Sequence, residues 1–177
     1  MVFDIARPLG FAYHCHPLNR VRRRHGLPGL GHDLRQVYTD ADYVFYADLP
    51  ELVATYALPW NHRYIGPILW EPALALPVWW DTVTRGGKTL FLTLGSSGPV
   101  EYLPKIVAGL SSLSVSLLVA TAGRIPVDRL HGERVYVADY LPAAQAMAKA
   151  HLVICNGGSP TSYLALAAGR PILGIPS

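Results

Sequence analysis

The sequence is poor in cysteine and in charge. Only two of its 177 residues are cysteines, Cys15 and Cys155, which is too few for a disulfide framework and indicates a reducing compartment. Charged residues make up 15% of the chain, and the net charge of +3 gives no reason to expect nucleic acid as a partner. The cluster Arg22-Arg23-Arg24 is interpreted as a solvated helix face.

Long apolar runs are also missing. No stretch approaches the roughly 20 apolar residues of a membrane-spanning helix, and the most apolar window, Val115 to Ala122, has the length of a strand. Asp4, Arg7 and Pro8 interrupt the start of the chain, where a signal peptide needs an unbroken apolar region. We therefore expect a soluble cytoplasmic protein without a transmembrane segment.

Several binding motifs are missing as well. The dinucleotide fingerprint G-x-G-x-x-G and the lysine of the Walker motif do not occur, which argues against an oxidoreductase that binds nicotinamide or flavin. His14, Cys15 and His16 offer at most two ligands on one side of an extended segment, so we expect no metal site.

The hydrophobic content is high, at 51%, and its pattern after residue 85 alternates between strands and helices. The predicted strands are Lys88–Leu94, Val115–Thr121, Arg134–Ala138, Leu152–Cys155 and Pro171–Ile175. The predicted helices are Val100–Leu110, Ala143–Ala150 and a helix from Ser159 through Ala168. Such alternation predicts an α/β fold, a Rossmann-like parallel sheet with helices on both faces.

The first part of the chain is more polar. We predict a short helix over Pro17–His25, a further turn over Asp33–Val37 and a strand over Tyr43–Ala47. Five prolines between Pro50 and Pro77 predict an extended connection. We place the domain boundary before Arg85, which gives one domain over 1–84 and a second over 85–177.

The stretch from Leu152 to Ser177 carries the clearest candidate site. After the strand, Asn156-Gly157-Gly158 leads to Ser159 as the predicted N-cap and Pro160 in the first turn of a helix. Glycines at the N-terminus of a helix present backbone N–H groups to an anion, which predicts a phosphate site. A purely structural turn is the alternative. Gly95 and Ser96 follow another strand and should lie on the same edge of the sheet.

Three spaced motifs together resemble the donor-binding signature of the UDP-glycosyltransferases of the GT-B fold. They are Asp139-Tyr140-Leu141-Pro142, Asn156-Gly157-Gly158-Ser159-Pro160-Thr161, and Ala165-Leu166-Ala167-Ala168-Gly169-Arg170-Pro171. The strand KTLFLTLGSS and the segment Tyr64-Ile65-Gly66-Pro67 add to the resemblance, which spans about residues 43 to 177.

The resemblance implies a role for each matched residue. Gly157, Gly158, Ser159 and Thr161 would hold the diphosphate of a nucleotide sugar, and Gly95 with Ser96 would face the phosphates or the sugar. Tyr140 stands where the family usually has a tryptophan that stacks on uracil, although it could also be a tyrosine at the edge of the core.

This chain departs from the family pattern in three respects. Asn156 replaces the common histidine beside the diphosphate and can still donate a hydrogen bond. Leu164 replaces the glutamate that binds the ribose hydroxyls in many members of the family, so the hydrogen bonds from the ribose to that carboxylate are lost. The family's Asp-Gln pair, which binds the sugar hydroxyls, should follow Ile175-Pro176 within a few residues, and the sequence stops at Ser177. In addition, nothing before Tyr43 matches the context of the histidine that is the family's catalytic base.

The resemblance therefore implies an interior piece of a glycosyltransferase that transfers a hexosyl group from a UDP- or dTDP-sugar to a hydroxyl acceptor with inversion. The acceptor would be a small molecule or a lipid, the nucleotide sugar a co-substrate, and no further cofactor is expected. The catalytic base would lie outside this chain, which alone would be inactive. The alternatives are a non-catalytic donor-binding subunit that pairs with a chain carrying the acceptor domain and, less favoured, a Rossmann-type oxidoreductase.

Overall fold

The computed structural model describes residues 2–83 and 87–176 of the chain. The predicted boundary between residues 84 and 85 lies outside these residues. Within the described part, the chain forms two compact units, one up to Pro67 and one from Ile68 onwards. We call them the first unit and the second unit and describe each by itself.

The first unit begins with a helix that is longer than predicted. Helix α1 runs over Val2–Arg24 and contains Pro8 and Pro17, whereas the sequence predicted a helix only from Pro17 onwards. Each proline removes one helical N–H, and the turns on either side continue. Asn19, buried on α1, accepts a hydrogen bond from the Leu30 N–H at 2.8 Å and donates one to the Gly31 carbonyl at 2.8 Å. These bonds hold the following loop against the helix.

A 3-10 helix over Leu34–Tyr38 follows and confirms the predicted turn. The Asp33 carboxylate accepts a hydrogen bond from the Arg35 N–H at 3.0 Å and pairs with the Arg35 guanidinium at 2.7 Å. The side-chain hydrogen bond from Arg35 lowers the pKa of Asp33. A cavity of about 490 Å³ lies beside this turn, lined partly by Phe11, Leu30 and Gln36.

Two short parallel strands complete the first unit. Strand β1 covers Val44–Tyr46, inside the predicted strand, and pairs with β2 over His62–Tyr64. Strand β2 lies inside the segment that was predicted to be an extended connection, and its pairing with β1 was not predicted. No proline lies between Pro59 and Pro67, so the Ile65 N–H is free to bond the Tyr46 carbonyl at 3.0 Å.

The second unit is a five-stranded sheet in which every pairing is parallel. Its strands are β3 (Lys88–Thr93), β4 (Val115–Ala120), β5 (Val135–Ala138), β6 (Leu152–Cys155) and β7 (Ile172–Gly174), in the spatial order β5-β4-β3-β6-β7. Its helices are α2 (Leu103–Ser111), α3 (Ala143–Lys149) and α4 (Ser159–Ala167), with 3-10 turns at Trp80–Thr82, Val100–Tyr102 and Val127–Arg129.

Helices cover both faces of this sheet, as predicted. On one face, Leu92 and Leu117 pack with Leu103 and Val107 of α2. On the other face, Phe91 packs with residues of α3 and α4, among them Met147 and Ala165. Successive residues of a strand point to opposite faces, so the almost continuous apolar runs of β3 and β4 supply both cores at once.

Among residues 2–83 and 87–176, no helix has the length and apolar character needed to cross a membrane. The same residues hold no group of three or more His, Cys, Asp or Glu side chains that could bind a metal ion. His14 and His16 are exposed and Cys15 is buried. All three lie on α1, not on the extended segment that was expected.

Candidate functional site

The second unit changes direction between its two central strands. From β3 the chain builds outwards through β4 to β5, then returns to place β6 on the other side of β3 and ends with β7. The loops that follow β3 and β6 therefore leave the carboxyl edge side by side. Ligands of open parallel sheets bind in the crevice at such a switch point.

The loop after β3 contains the predicted glycine-serine turn. Gly95 has a φ of +62° and donates its N–H to the Thr93 hydroxyl at 3.2 Å. A further hydrogen bond, from the Gly98 N–H to the Leu94 carbonyl at 2.9 Å, closes the turn. Ser96 and Ser97, between the glycines, are exposed, so their hydroxyl groups are accessible to a ligand.

The loop after β6 carries the second turn and contacts the first. Gly157 has a φ of +81°, and the Gly158 N–H points to Asn156 Oδ1 at 3.4 Å. The same side chain donates from Nδ2 to Ser97 Oγ at 3.4 Å. Asn156 therefore joins the two predicted phosphate-binding turns through opposite ends of its amide.

Helix α4 begins at the end of this second turn. Its N-cap is Gly158, in an extended conformation, whereas Ser159 was predicted; Ser159 is already helical. No side chain caps the helix, and Pro160 has no N–H, so Ser159 and Thr161 supply the backbone donors of the first turn. The absence of a capping side chain leaves this positive end of the helix dipole to an external anion.

Tyr140 follows β5 on the same edge. Its side chain is 60% exposed, and its hydroxyl donates to the Ala122 carbonyl at 3.1 Å. A ring that is anchored at its tip and open to solvent is able to stack on a planar ligand. Its role as a nucleobase platform stays a prediction, as do the roles of the other predicted site residues.

A fourth loop, after β4, was not predicted to contribute. Gly123 donates its N–H to the Thr121 hydroxyl at 3.2 Å and has a φ of +69°, so it repeats the geometry of Gly95 and Thr93. Arg124 donates from its guanidinium to the Gly98 carbonyl. The sequence did carry a signal, because Thr121-Ala122-Gly123 and Thr93-Leu94-Gly95 share the pattern Thr-x-Gly at the end of a strand.

Leu164 has a structural role in this chain. It lies on α4, is half-buried, and packs against the core that α3 and α4 share with the sheet. The position where the family has a ribose-binding glutamate is therefore used here for packing.

Glu71 fixes the segment that follows Tyr140. Its carboxylate accepts a hydrogen bond from the Ala144 N–H, at the start of α3, at 2.8 Å. Replacing Glu71 with alanine is expected to lower the free energy of unfolding by about 1 kcal/mol, the usual cost of a lost helix cap. Chemical denaturation measures the change. Glu133→Ala, at an exposed position, is the control and should stay within about 0.5 kcal/mol of the parent; equal losses in the two variants would contradict the capping role.

The fold and the geometry of this edge together define a Rossmann-type unit whose switch point holds two glycine turns and a helix N-terminus without a side-chain cap. No protein-family model matches the chain. The chain is 48% identical over all 177 residues to the PGL/p-HBAD biosynthesis glycosyltransferase of Mycobacterium tuberculosis, of which it covers 41%. It is 46% identical over 175 residues to the PGL/p-HBAD biosynthesis rhamnosyltransferase of Mycobacterium bovis, of which it covers 39%. A protein of M. bovis named an inactive PGL/p-HBAD biosynthesis glycosyltransferase is 48% identical over 110 residues, 62% of this chain and 30% of that protein.

Solved structures show the same architecture. The glycosyltransferase SnogD from Streptomyces nogalater superimposes with a TM-score of 0.65 at 21% identity, over 89% of this chain and 43% of SnogD. The spinosyn rhamnosyltransferase SpnG complexed with thymidine diphosphate gives a TM-score of 0.62 at 23% identity, over 90% of this chain and 42% of SpnG. The predicted resemblance is confirmed: the chain is homologous to glycosyltransferases and has the architecture of the GT-B fold. It spans about two fifths of the length of the curated relatives that it matches.

Proposed function

We propose that this chain is the donor-binding part of a glycosyltransferase that transfers a hexosyl group from a UDP- or dTDP-sugar to a hydroxyl acceptor with inversion. The observation that carries the proposal is the pair of turns at the switch point, joined through Asn156 and followed by the uncapped N-terminus of α4. The chain binds the diphosphate there, with Gly95, Ser96, Gly157, Gly158, Ser159 and Thr161 around it.

Binding at this edge contributes to the chemistry through the leaving group. When the sugar is transferred, negative charge develops on the departing diphosphate, and backbone donors with a helix dipole stabilise that charge. None of the residues that contact the diphosphate in this proposal has to accept a proton. The catalytic base is supplied from outside this chain, and the nucleotide sugar is a co-substrate, so no further cofactor is required.

The names of the relatives support a narrower choice of donor and acceptor. One relative is named a rhamnosyltransferase, and the solved SpnG holds thymidine diphosphate, which favours a dTDP-sugar. Both relatives that match over almost the whole chain are named for PGL/p-HBAD biosynthesis, so we assign the hydroxyl acceptor, a small molecule or a lipid, to that biosynthesis. We place the protein in the cytoplasm, on the support of two buried cysteines that are not joined in a disulfide.

Calorimetric titration combined with a transfer assay tests this function. The isolated chain is expected to bind dTDP and UDP weakly, to show no heat with NAD, and to release no sugar from a dTDP-sugar. Binding follows from the edge described above, and the lack of turnover follows from the missing base. Turnover by the isolated chain, or tighter binding of NAD than of either diphosphate, would contradict the proposal.

A second candidate is a donor-binding subunit whose acceptor domain is a separate chain. It is favoured by the aromatic surface of the first unit, where Tyr43, Phe45 and Trp60 are 57%, 60% and 74% exposed. Exposed aromatic clusters of this kind are typical of protein interfaces. The DNA that flanks the gene distinguishes the two cases, because a separate acceptor gene supports the subunit and an in-frame continuation contradicts it.

A further inference from the structure

The carboxyl edge of the second unit has one cation among the loops that follow its strands. In the described residues these loops are 94–99, 121–126, 139–142, 156–158 and 175–176, and Arg124 is their single lysine or arginine. They also hold one carboxylate, Asp139, which accepts a hydrogen bond from the Thr121 hydroxyl at 2.8 Å. All the residues predicted to hold the diphosphate are uncharged. Arg124 is therefore the residue in these loops whose positive charge can balance a ligand with two or more negative charges.

Arg124 is also bonded to the loop that approaches the diphosphate. Its Nη1 donates to the carbonyl of Gly98, the residue that closes the Ser96-Ser97 turn. A guanidinium has five N–H donors, and the bond to Gly98 uses one of the two on Nη1. The side chain is exposed, so the remaining donors face solvent at this edge.

The loop of Arg124 also holds the predicted nucleobase platform. The Ala122 carbonyl accepts the Tyr140 hydroxyl at 3.1 Å, and Gly123 lies next to the same ring. One four-residue segment, Thr121 to Arg124, is therefore bonded to the Tyr140 side and to the Ser96-Ser97 side of the edge. A nucleoside diphosphate has a base and a diphosphate to be held at a fixed separation, and this segment spans both.

We infer that Arg124 is a positioning residue for the nucleoside diphosphate: through Gly98 it holds the Ser96-Ser97 turn in place, and its free N–H groups neutralise the diphosphate. This inference rests on the proposed function, since it requires a nucleotide at this edge. The loop after β4 thereby takes part in recognition of the diphosphate, although it belongs to none of the sequence motifs that predicted the site.

The test compares a nucleotide with its nucleoside on the 177-residue chain. Dissociation constants for dTDP, thymidine and inorganic pyrophosphate are measured by NMR titration for the parent, Arg124→Met, Arg124→Lys and Arg129→Met. Arg129 lies in the same β4–β5 connection, is exposed, and serves as the matched control. Thermal unfolding of each variant confirms that it is folded.

Arg124→Met is expected to raise the dissociation constants of dTDP and pyrophosphate on the order of tenfold to a hundredfold, the range for a lost charge-assisted hydrogen bond. The dissociation constant of thymidine should change less than about twofold. Arg124→Lys keeps the charge and should recover part of the affinity for dTDP. The log–log slope of dTDP affinity against salt should become shallower in Arg124→Met and stay unchanged in Arg129→Met.

Three outcomes overturn the inference. Equal weakening of thymidine and dTDP would mean that Arg124 supports only the fold of the edge. Unchanged dTDP affinity in Arg124→Met, with the parent binding normally, would remove Arg124 from the site and leave the proposed function intact. A parent chain that binds neither dTDP nor UDP would overturn the proposed function, and this inference with it.

Discussion

Replacing Gly98 with alanine is expected to destabilise the second unit by about 3 kcal/mol, the upper part of the range for overpacking, and to abolish nucleotide binding. An added methyl group would lie 2.2 Å from the Leu94 carbonyl oxygen and 2.9 Å from Asn156 Cβ. The first contact is with backbone and cannot be relieved by a change of rotamer. The substitution therefore has to change the shape of the β3 loop itself, and the contact with Asn156 also pushes that loop away from the β6 loop.

Gly109→Ala is the matched control for this experiment. Gly109 lies in α2, is exposed, and has nothing within 4 Å of an added methyl group. Alanine is favoured over glycine inside a helix by up to about 1 kcal/mol, so this variant should be more stable than the parent. Urea denaturation of both variants gives the comparison, and a Gly98→Ala chain as stable as the parent would show that the two loops do not meet as described.

Replacing Asn156 with aspartate is expected to lower the affinity for dTDP and UDP at least about tenfold at neutral pH. The substitution keeps an acceptor for the Gly158 N–H, and the Ser97 hydroxyl is able to donate to the new carboxylate, so the turns should stay folded. The loss comes from the negative charge beside the diphosphate. Calorimetric titration measures it.

Gln145→Glu provides the same change from amide to carboxylate on the exposed side of α3. It should leave the affinity for both nucleotides within about twofold of the parent, because Gln145 is exposed and salt screens an exposed charge. Asn156→His, which introduces the residue common in the family, should bind dTDP at least as tightly as the parent. If Asn156→Asp also binds as tightly as the parent, the diphosphate does not lie beside Asn156.

The parallel sheet could be predicted from the sequence because its strands are short and apolar and alternate with helices, of which α2 has a clear apolar face. The five strands of the second unit and the helices α3 and α4 lie within one residue of the predicted bounds, whereas α2 begins three residues later than predicted, after the 3-10 turn at Val100–Tyr102. The spacing of apolar residues along a segment follows from which of its faces are buried. In the second unit, where one sheet carries a core on each face, this spacing predicts the strands and helices well.

The first unit was predicted less well because tertiary contacts override the local signals there. The sequence predicts a helix only from Pro17 onwards, yet α1 begins at Val2 and contains both Pro8 and Pro17. Strand β2 has three residues and an unremarkable composition, and it exists because β1 is there to pair with it. Neither outcome follows from the propensities of the residues concerned.

The candidate site shows the same division. The glycine turns after β3 and β6 follow from the order of strands and from glycine itself, and both were predicted. The N-cap moved from Ser159 to Gly158, because Gly158 is the extended residue and Ser159 is already helical, so the helix begins one residue earlier than the preferred capping residue suggested. The contact between Arg124 and Gly98 joins residues 26 apart in the sequence and depends on the adjacency of β3 and β4. No local pattern encodes such a contact.

The most direct test of the donor site is a map of backbone amide shifts on titration of the chain with dTDP and UDP. A diphosphate at the switch point should shift the amides of Gly157, Gly158, Ser159 and Thr161 together with those of Ser96 to Gly98, and inorganic pyrophosphate should shift the same two groups. Shifts confined to the first unit, for example to the cavity residues Gly29 to Gln36, would contradict the account, as would a spectrum that neither nucleotide changes.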